Sequence, residues 1–157
     1  MNSPQIQFSE HRLSEINLYK LQELFNLAAF WAKGRTIEDL SIAIANSDPV
    51  IHIWDGERLI GFARATSDGI YRATIWDVVI HPEYRGTGLG RKLVETVLTH
   101  PRVRQVERVY LMTTHQQEFY EKIGFQCNPT ITMVLHNQPE IEPLPATQVH
   151  LQKSLGG

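Results

Sequence analysis

The apolar positions of this chain change period as it proceeds, and each change marks an element. Ile6 to Phe8 alternates briefly and reads as a first strand. Leu18, Leu21, Phe25 and Ala28 then recur at helical spacing, with Asn17 as the predicted N-cap and Ile16 and Leu21 spaced as a hydrophobic staple. Thr36-Ile-Glu-Asp39 opens a second helix in the manner of a capping box, with Ile37, Leu40 and Ile44 on one face, and Phe30 to Arg35 links the two helices. From Val50 the period shortens to two. VIHIW, LIGFARAT and YRATIWDVVI, separated by turns at Asp55-Gly56 and Ser67-Asp-Gly69, predict an antiparallel three-stranded meander. Leu89, Leu93, Val94, Val97 and Leu98 return to helical spacing until Pro101. Val106 to Met112 reads as a strand, Gln116 to Lys122 as a short helix stopped by Gly124, and Phe125 to Cys127 and Ile131 to Leu135 as the last two strands.

This order predicts an α/β (α+β) fold built on a mixed, mostly antiparallel sheet of about seven strands with about four helices. At 157 residues, 42% hydrophobic and 20% charged, the chain fits one domain over 1–157, with its core in about 5–135 and a loosely packed tail over 137–157. Fifteen basic and seventeen acidic residues leave a net charge of −2, which gives no electrostatic case for nucleic acid or an anionic membrane as partner. One cysteine, Cys127, excludes an internal disulfide and reads as a core thiol in a reducing compartment. With no signal-like start and no long apolar run, the expected location is cytoplasmic.

The third meander strand runs into HPEYRGTGLGR, with three glycines in five positions ahead of a helix. Such a turn exposes the unpartnered first amides of the helix, where the dipole also favours an anion. A dinucleotide fingerprint starting at Gly86 needs glycine where Arg91 stands. A P-loop needs Gly-Lys-Ser/Thr at 91 to 93, where the chain has Arg91, Lys92 and Leu93. A ligand-free glycine turn is the structural alternative.

Arg85-Gly-Thr-Gly88-Leu-Gly90, preceded by VVIHPEYR, resembles the R-x-x-G-x-G signature of the GNAT acetyltransferase superfamily, and EFYEKIGF resembles that family's later helix. The resemblance spans about residues 5 to 135. ARATSDGIYRATIWDVVIHPEYRGTGLGRKLVE resembles more narrowly a cyanobacterial and plastid branch that includes plant serotonin N-acetyltransferase-like enzymes, some of which also acetylate protein amines.

The resemblance implies a GNAT-like fold and acetyl-CoA as co-substrate, its pyrophosphate meeting the backbone amides of Gly86, Thr87, Gly88, Leu89, Gly90 and Arg91 while Arg85 holds the loop. Arg91 and Lys92 would add positive charge, or Lys92 be plain surface. It also implies that the backbone of Val78, Val79 and Ile80 binds the pantetheine arm where two strands splay; otherwise these three are core. Many relatives carry asparagine where Thr113 stands, so Thr113 replaces that cofactor contact only in part.

An amine of pKa near ~10 is neutral about once in a thousand at pH 7, so a base is useful. Asp77, the one charge in TIWDVVI, is the candidate, with burial expected to raise its pKa; a loop hydrogen bond or a water-mediated base are the alternatives. Tyr120 takes the place of the family's proton donor, or is a core aromatic. Trp31, in the linker that borders the family's acceptor pocket, is a candidate for stacking on the acceptor. His115-Gln-Gln-Glu118 lacks the second histidine of an inverted zinc motif, so no metal is expected.

The expected activity is direct acetyl transfer in a ternary complex to a primary amine, such as the arylalkylamines serotonin or tryptamine. Alternatives are a protein N-terminal or lysine amine, and a non-catalytic CoA-binding regulatory module. A homodimer through the last strands or the tail is common in the family.

Overall fold

Two short side chains set the helical start of the fold. Ser14 precedes α1 (Glu15–Ala28), and its hydroxyl accepts the Asn17 N–H at 3.3 Å. The helix therefore begins earlier than Asn17 as a cap would allow. Leu13 and Leu18, both buried, occupy the staple positions. Thr36 caps α2 (Ile37–Ala45) as expected, accepting the Asp39 N–H at 3.1 Å.

The computed structural model describes residues 3–10 and 13–138. After β1 (Ile6–Ser9) and the two helices come β2 (Val50–Asp55), β3 (Arg58–Ser67) and β4 (Arg72–Ile80). Then follow α3 (Leu89–Thr99), β5 (Arg108–Tyr110) and α4 (Gln117–Ile123). The strands lie in the order β1-β2-β3-β4-β5, antiparallel except for the parallel pair β4–β5. Among the described residues this is an α/β fold with four α-helices and a mixed sheet of five strands, not seven.

The chain divides into two compact units, Met1–Gln126 and Cys127–Gly157. Neither of the last two expected strands, Phe125 to Cys127 at the junction and Ile131 to Leu135 in the second unit, forms. Ile131, Met133, Val134 and Leu135 are 74–90% exposed, and Cys127 is exposed rather than core. Alternation specifies a strand only where a neighbour supplies the ladder and covers the apolar face, and these residues pair with no described strand. Most of the expected tail lies outside the described residues. Among the described residues, no helix is long and apolar enough to cross a membrane.

The first unit buries one apolar layer on each face of its sheet. Leu21, Phe25 and Leu40 of α1 and α2 meet Phe62 and Val79, while Leu93, Val94 and Val97 of α3 meet Ile51, Ile60 and Ala63. Gly61 sits where β2 and β4 lean together. A Cβ there would stand 2.8 Å from Ile53 Cδ1 and 3.1 Å from Ile80 Cδ1. Gly61→Ala should therefore cost about 1–3 kcal/mol through overpacking. Ile53→Val, which removes the nearest methyl, should make the double variant less destabilised than the two single costs summed. Denaturant titration of all three variants measures this, and additivity would mean the backbone shifts instead.

Candidate active site

One β-bulge organises the site. Phe62 pairs with Val79 and Arg64 with Trp76, so Ala63 faces two residues of β4, Asp77 and Val78. Asp77 takes the left-handed conformation at φ 57°, alone among described non-glycine residues. Aspartate tolerates this region better than most side chains, yet the strain is of order 1–3 kcal/mol unless the surroundings compensate. Here they do. The carboxylate, 5% exposed, accepts Trp31 Nε1–H at 2.9 Å on Oδ1, and Arg35 Nη1 at 2.9 Å and Arg64 Nε at 2.8 Å on Oδ2.

Burial pushes the Asp77 pKa up, but the hydrogen bonds and charges of Arg35 and Arg64 together outweigh it and hold the carboxyl below its ordinary value. The expected upward shift is thus overturned. The contribution of this group to stability is fully present above the ordinary carboxylate range, and is lost as pH falls through the lowered value.

The bulge also shifts the parity of β4. Ala73 and Ile75 face α3, and after the extra residue so do Val78 and Ile80, which leaves Asp77 and Val79 toward α1 and α2. On its other side β4 pairs with β5 only from Arg72 to Thr74, so no described strand pairs with Val78, Val79 and Ile80 on that edge. Their side chains pack in the core, and this unpaired edge is the segment expected to take the pantetheine arm.

The glycine turn is built before it reaches the helix. Asp55 at the end of β2 accepts a short hydrogen bond from the Tyr84 hydroxyl, and Arg58 of β3 bonds Glu83 at 2.9 Å and His81 Nε2 at 3.1 Å. Thr87 Oγ1 donates to the Tyr84 carbonyl at 2.6 Å, and Arg85 Nε to the Ile80 carbonyl at 3.4 Å. Gly86 and Gly88 adopt φ of 76° and 84°, and a Cβ on either would meet nothing within 4 Å. They are glycines for their backbone, and the space above them is open. Lys92 N–H is the first to bond within α3, to the Gly88 carbonyl at 3.1 Å, so Leu89, Gly90 and Arg91 present free amides there. This cradle fits a pyrophosphate. Gly90 differs from the other two: a Cβ there would lie 3.4 Å from the Phe119 ring, so it lets α3 and α4 approach. Arg91 pairs with Glu95 at 2.7 Å, and Lys92 lies over the Phe8 ring at 4.9 Å.

Tyr120 on α4 stacks edge-on with Phe119 and Phe125, and burial pushes its pKa up to about 12. It keeps its proton through neutral pH. Thr113 Oγ1 accepts the Gln116 N–H at 3.0 Å, so its hydroxyl organises the approach to α4. Among the described residues no group of three or more His, Cys, Asp or Glu could hold a metal ion.

The structure thus joins Trp31 to Asp77 and adds Arg35 and Arg64. Arg64 had a signal in the sequence: it is the one charge within LIGFARAT, as Asp77 is within TIWDVVI, and buried opposite charges on neighbouring strands pair. Arg35, in a linker, had none. The backbone of that linker is tied to α1 by Gly34 N–H to Asn26 at 3.0 Å and by Gln22 Nε2 to the Arg35 carbonyl at 2.9 Å.

Comparison with known proteins identifies the family and the fold. The family model described as Acetyltransferase (GNAT) family matches residues 18–125. "Uncharacterized N-acetyltransferase ycf52" of Pyropia yezoensis is 37% identical over 132 residues, 79% of this chain and 75% of that protein. "GCN5-related N-acetyltransferase 2, chloroplastic" of Arabidopsis thaliana is 36% identical over 136 residues, covering 73% of this chain and about half, 52%, of the relative. The crystal structure of glucosamine-6-phosphate N-acetyltransferase from Arabidopsis thaliana, 20% identical, superposes with a TM-score of 0.67 over 85% of this chain and 99% of that one, a likeness of fold.

A substitution at Gly88 separates backbone strain from ligand binding when Gly34 serves as control, since Gly34 also has positive φ, 79°, and open space at its Cβ position. Gly88→Ala should weaken acetyl-CoA binding at least tenfold, about 1.4 kcal/mol, by calorimetry, while Gly34→Ala leaves that affinity unchanged. Equal affinities in both variants would return the turn to a purely structural role.

Proposed function

The chain belongs to the acetyltransferase (GNAT) family, and from that premise we propose that it moves the acetyl group of acetyl-CoA directly to the amine of a small arylalkylamine such as tryptamine or serotonin. That it is an N-acetyltransferase, with homologues in the plastid and cyanobacterial branch, follows from the family and its relatives. The observation that carries the acceptor choice is Trp31. Its indole is 43% exposed, packed edge-on at 5.1 Å against Phe30 (46% exposed), and fixed in orientation by its bond to Asp77. Two immobilised aromatic faces left in water beside the site suit a flat apolar partner.

Acetyl-CoA supplies an activated acyl carbon. The amine nitrogen bonds to it, the thioester C–S bond breaks, Tyr120 gives its proton to the departing thiolate, and the amine's proton passes to water, from which Tyr120 is restored. Asp77 is a weak base here because two guanidinium groups stabilise its ionised form, so its role in this reading is to fix Trp31 and the linker. The surplus positive charge of Arg35 and Arg64 over Asp77 lowers the pKa of an amine bound nearby, which enlarges the neutral, reactive fraction. A cytoplasmic setting and a homodimer belong to the same proposal.

Thiol release measured with tryptamine, a polyamine and lysine-bearing peptides under one set of conditions tests the acceptor. Tryptamine should give the highest kcat/KM; turnover confined to peptides would shift the reading to a protein acetyltransferase, and CoA binding without turnover to a regulatory module.

The two site roles separate in variants. Tyr120→Phe should lower kcat by ~10²–10⁴-fold with acetyl-CoA affinity unchanged, the loss shrinking for a thioester with a more acidic thiol. Asp77→Asn should raise the acceptor KM at least tenfold and, by leaving Arg35 and Arg64 unopposed, move the pH profile of kcat toward lower pH. A kcat defect that recovers at high pH would instead make Asp77 the base.

A further inference from the structure

The turn that leads from β4 to the glycines closes on one imidazole. His81 is 9% exposed, and its backbone N–H is held to β3 by the Ile60 carbonyl at 2.7 Å. Its ring meets two donors at once: the Glu83 backbone N–H lies 3.1 Å from Nδ1, and Arg58 Nη2 lies 3.1 Å from Nε2. A neutral imidazole has a single acceptor nitrogen, because the other carries the proton, whereas a backbone amide and a guanidinium only donate. Either neutral tautomer therefore completes one of these contacts and sets two N–H groups face to face in the other. The doubly protonated ring completes neither.

The charged and titratable groups around the ring are Arg58 from β3, Glu83, Tyr84 and Arg85 from its own turn, and Asp55 of β2 behind the Tyr84 hydroxyl. Burial and the charge of Arg58 lower the His81 pKa, Glu83 opposes them, and Arg85 adds to the lowering. Glu83 is weak compensation, since its carboxylate is exposed and already bonded to Arg58 at 2.9 Å. The path from the ring to the cradle is short. Tyr84 N–H bonds the His81 carbonyl at 2.9 Å, and Thr87 Oγ1 bonds the Tyr84 carbonyl at 2.6 Å, directly between Gly86 and Gly88.

Resting on the acetyl-CoA reading above, we propose that neutral His81 is a positioning residue for the anion cradle, and that its protonation releases the turn over 82–85 and weakens acetyl-CoA binding. The assembled turn resists the proton that a released turn accepts. Affinity is therefore full above the ordinary histidine value of about 6.5 and falls as pH drops below it. One pH unit below that value the loss reaches at most roughly tenfold. Asp55 and Glu83, both held below the ordinary carboxylate range, stay ionised through this window.

The test compares acetyl-CoA calorimetry on the native chain and on His81→Asn, whose Oδ1 replaces Nδ1 as acceptor for the Glu83 N–H and does not titrate. Ionisation of the ligand's own phosphates is common to both proteins. Between about pH 8 and about pH 5.5 the native affinity should fall at least threefold more than that of the variant. NMR of the native chain without ligand is the second measurement, and it holds even if the variant fails to fold. His81 should titrate below its ordinary value, with the amides of Glu83 to Gly88 shifting at the same midpoint. Equal pH dependence in both proteins, a native affinity that rises as the added positive charge attracts phosphate, or turn amides that ignore the His81 titration overturns the proposal. Absence of acetyl-CoA binding to the native chain at either pH overturns the acetyl-CoA reading instead, because the amide titration reports the coupling of His81 to the turn without ligand.

Discussion

Three donors from three separate parts of the chain converge on the Asp77 carboxylate: an indole from the turn after α1, a guanidinium from the linker before α2, and another from the middle of β3. A residue held at positive φ in the middle of a strand is costly, and here three hydrogen bonds to its buried carboxylate offset the cost. From it follow the bulge, the change of parity along β4, and the fixed position of the linker. The same feature that shapes the strand therefore also gathers Trp31, Arg35 and Arg64 around one carboxylate.

The same bonds decide the chemistry available to Asp77. A carboxylate in an apolar strand invites the expectation of a raised pKa and a basic role. That expectation considers desolvation alone. Two arginines at hydrogen-bonding distance reverse the sign and make the group an ionised anchor. Burial without a partner acts on Tyr120 in the simpler way, raising its pKa and keeping it protonated.

In the turn before α3, three glycines that look equivalent have different causes. Gly86 and Gly88 answer to backbone conformation, with open space above them, whereas Gly90 answers to the packing of α3 against Phe119. Their position relative to the sheet is set from outside the motif, by Asp55 on Tyr84 and by Arg58 on Glu83 and His81. The residues before the glycines thus tie the anion cradle to the β2–β3 hairpin.

Sequence by itself determined what depends on near neighbours. The capping of α2 by Thr36, the three meander strands, the amphipathic α3 ended at Pro101 and the glycine turn at its start were all legible, because each is fixed by local periodicity or by a residue's own backbone preference. Tertiary structure decided what depends on partners remote in the chain. The segment from Ile131 to Leu135 has a strand's alternation but no ladder among the described residues, so it is not a strand. Arg35 and Arg64 lie forty-two and thirteen residues from Asp77, and only their meeting turns an expected base into an anchor. The pKa of a buried group is the balance of desolvation and neighbouring charge; the sequence shows the apolar surroundings that set the first, and folding alone brings up the second.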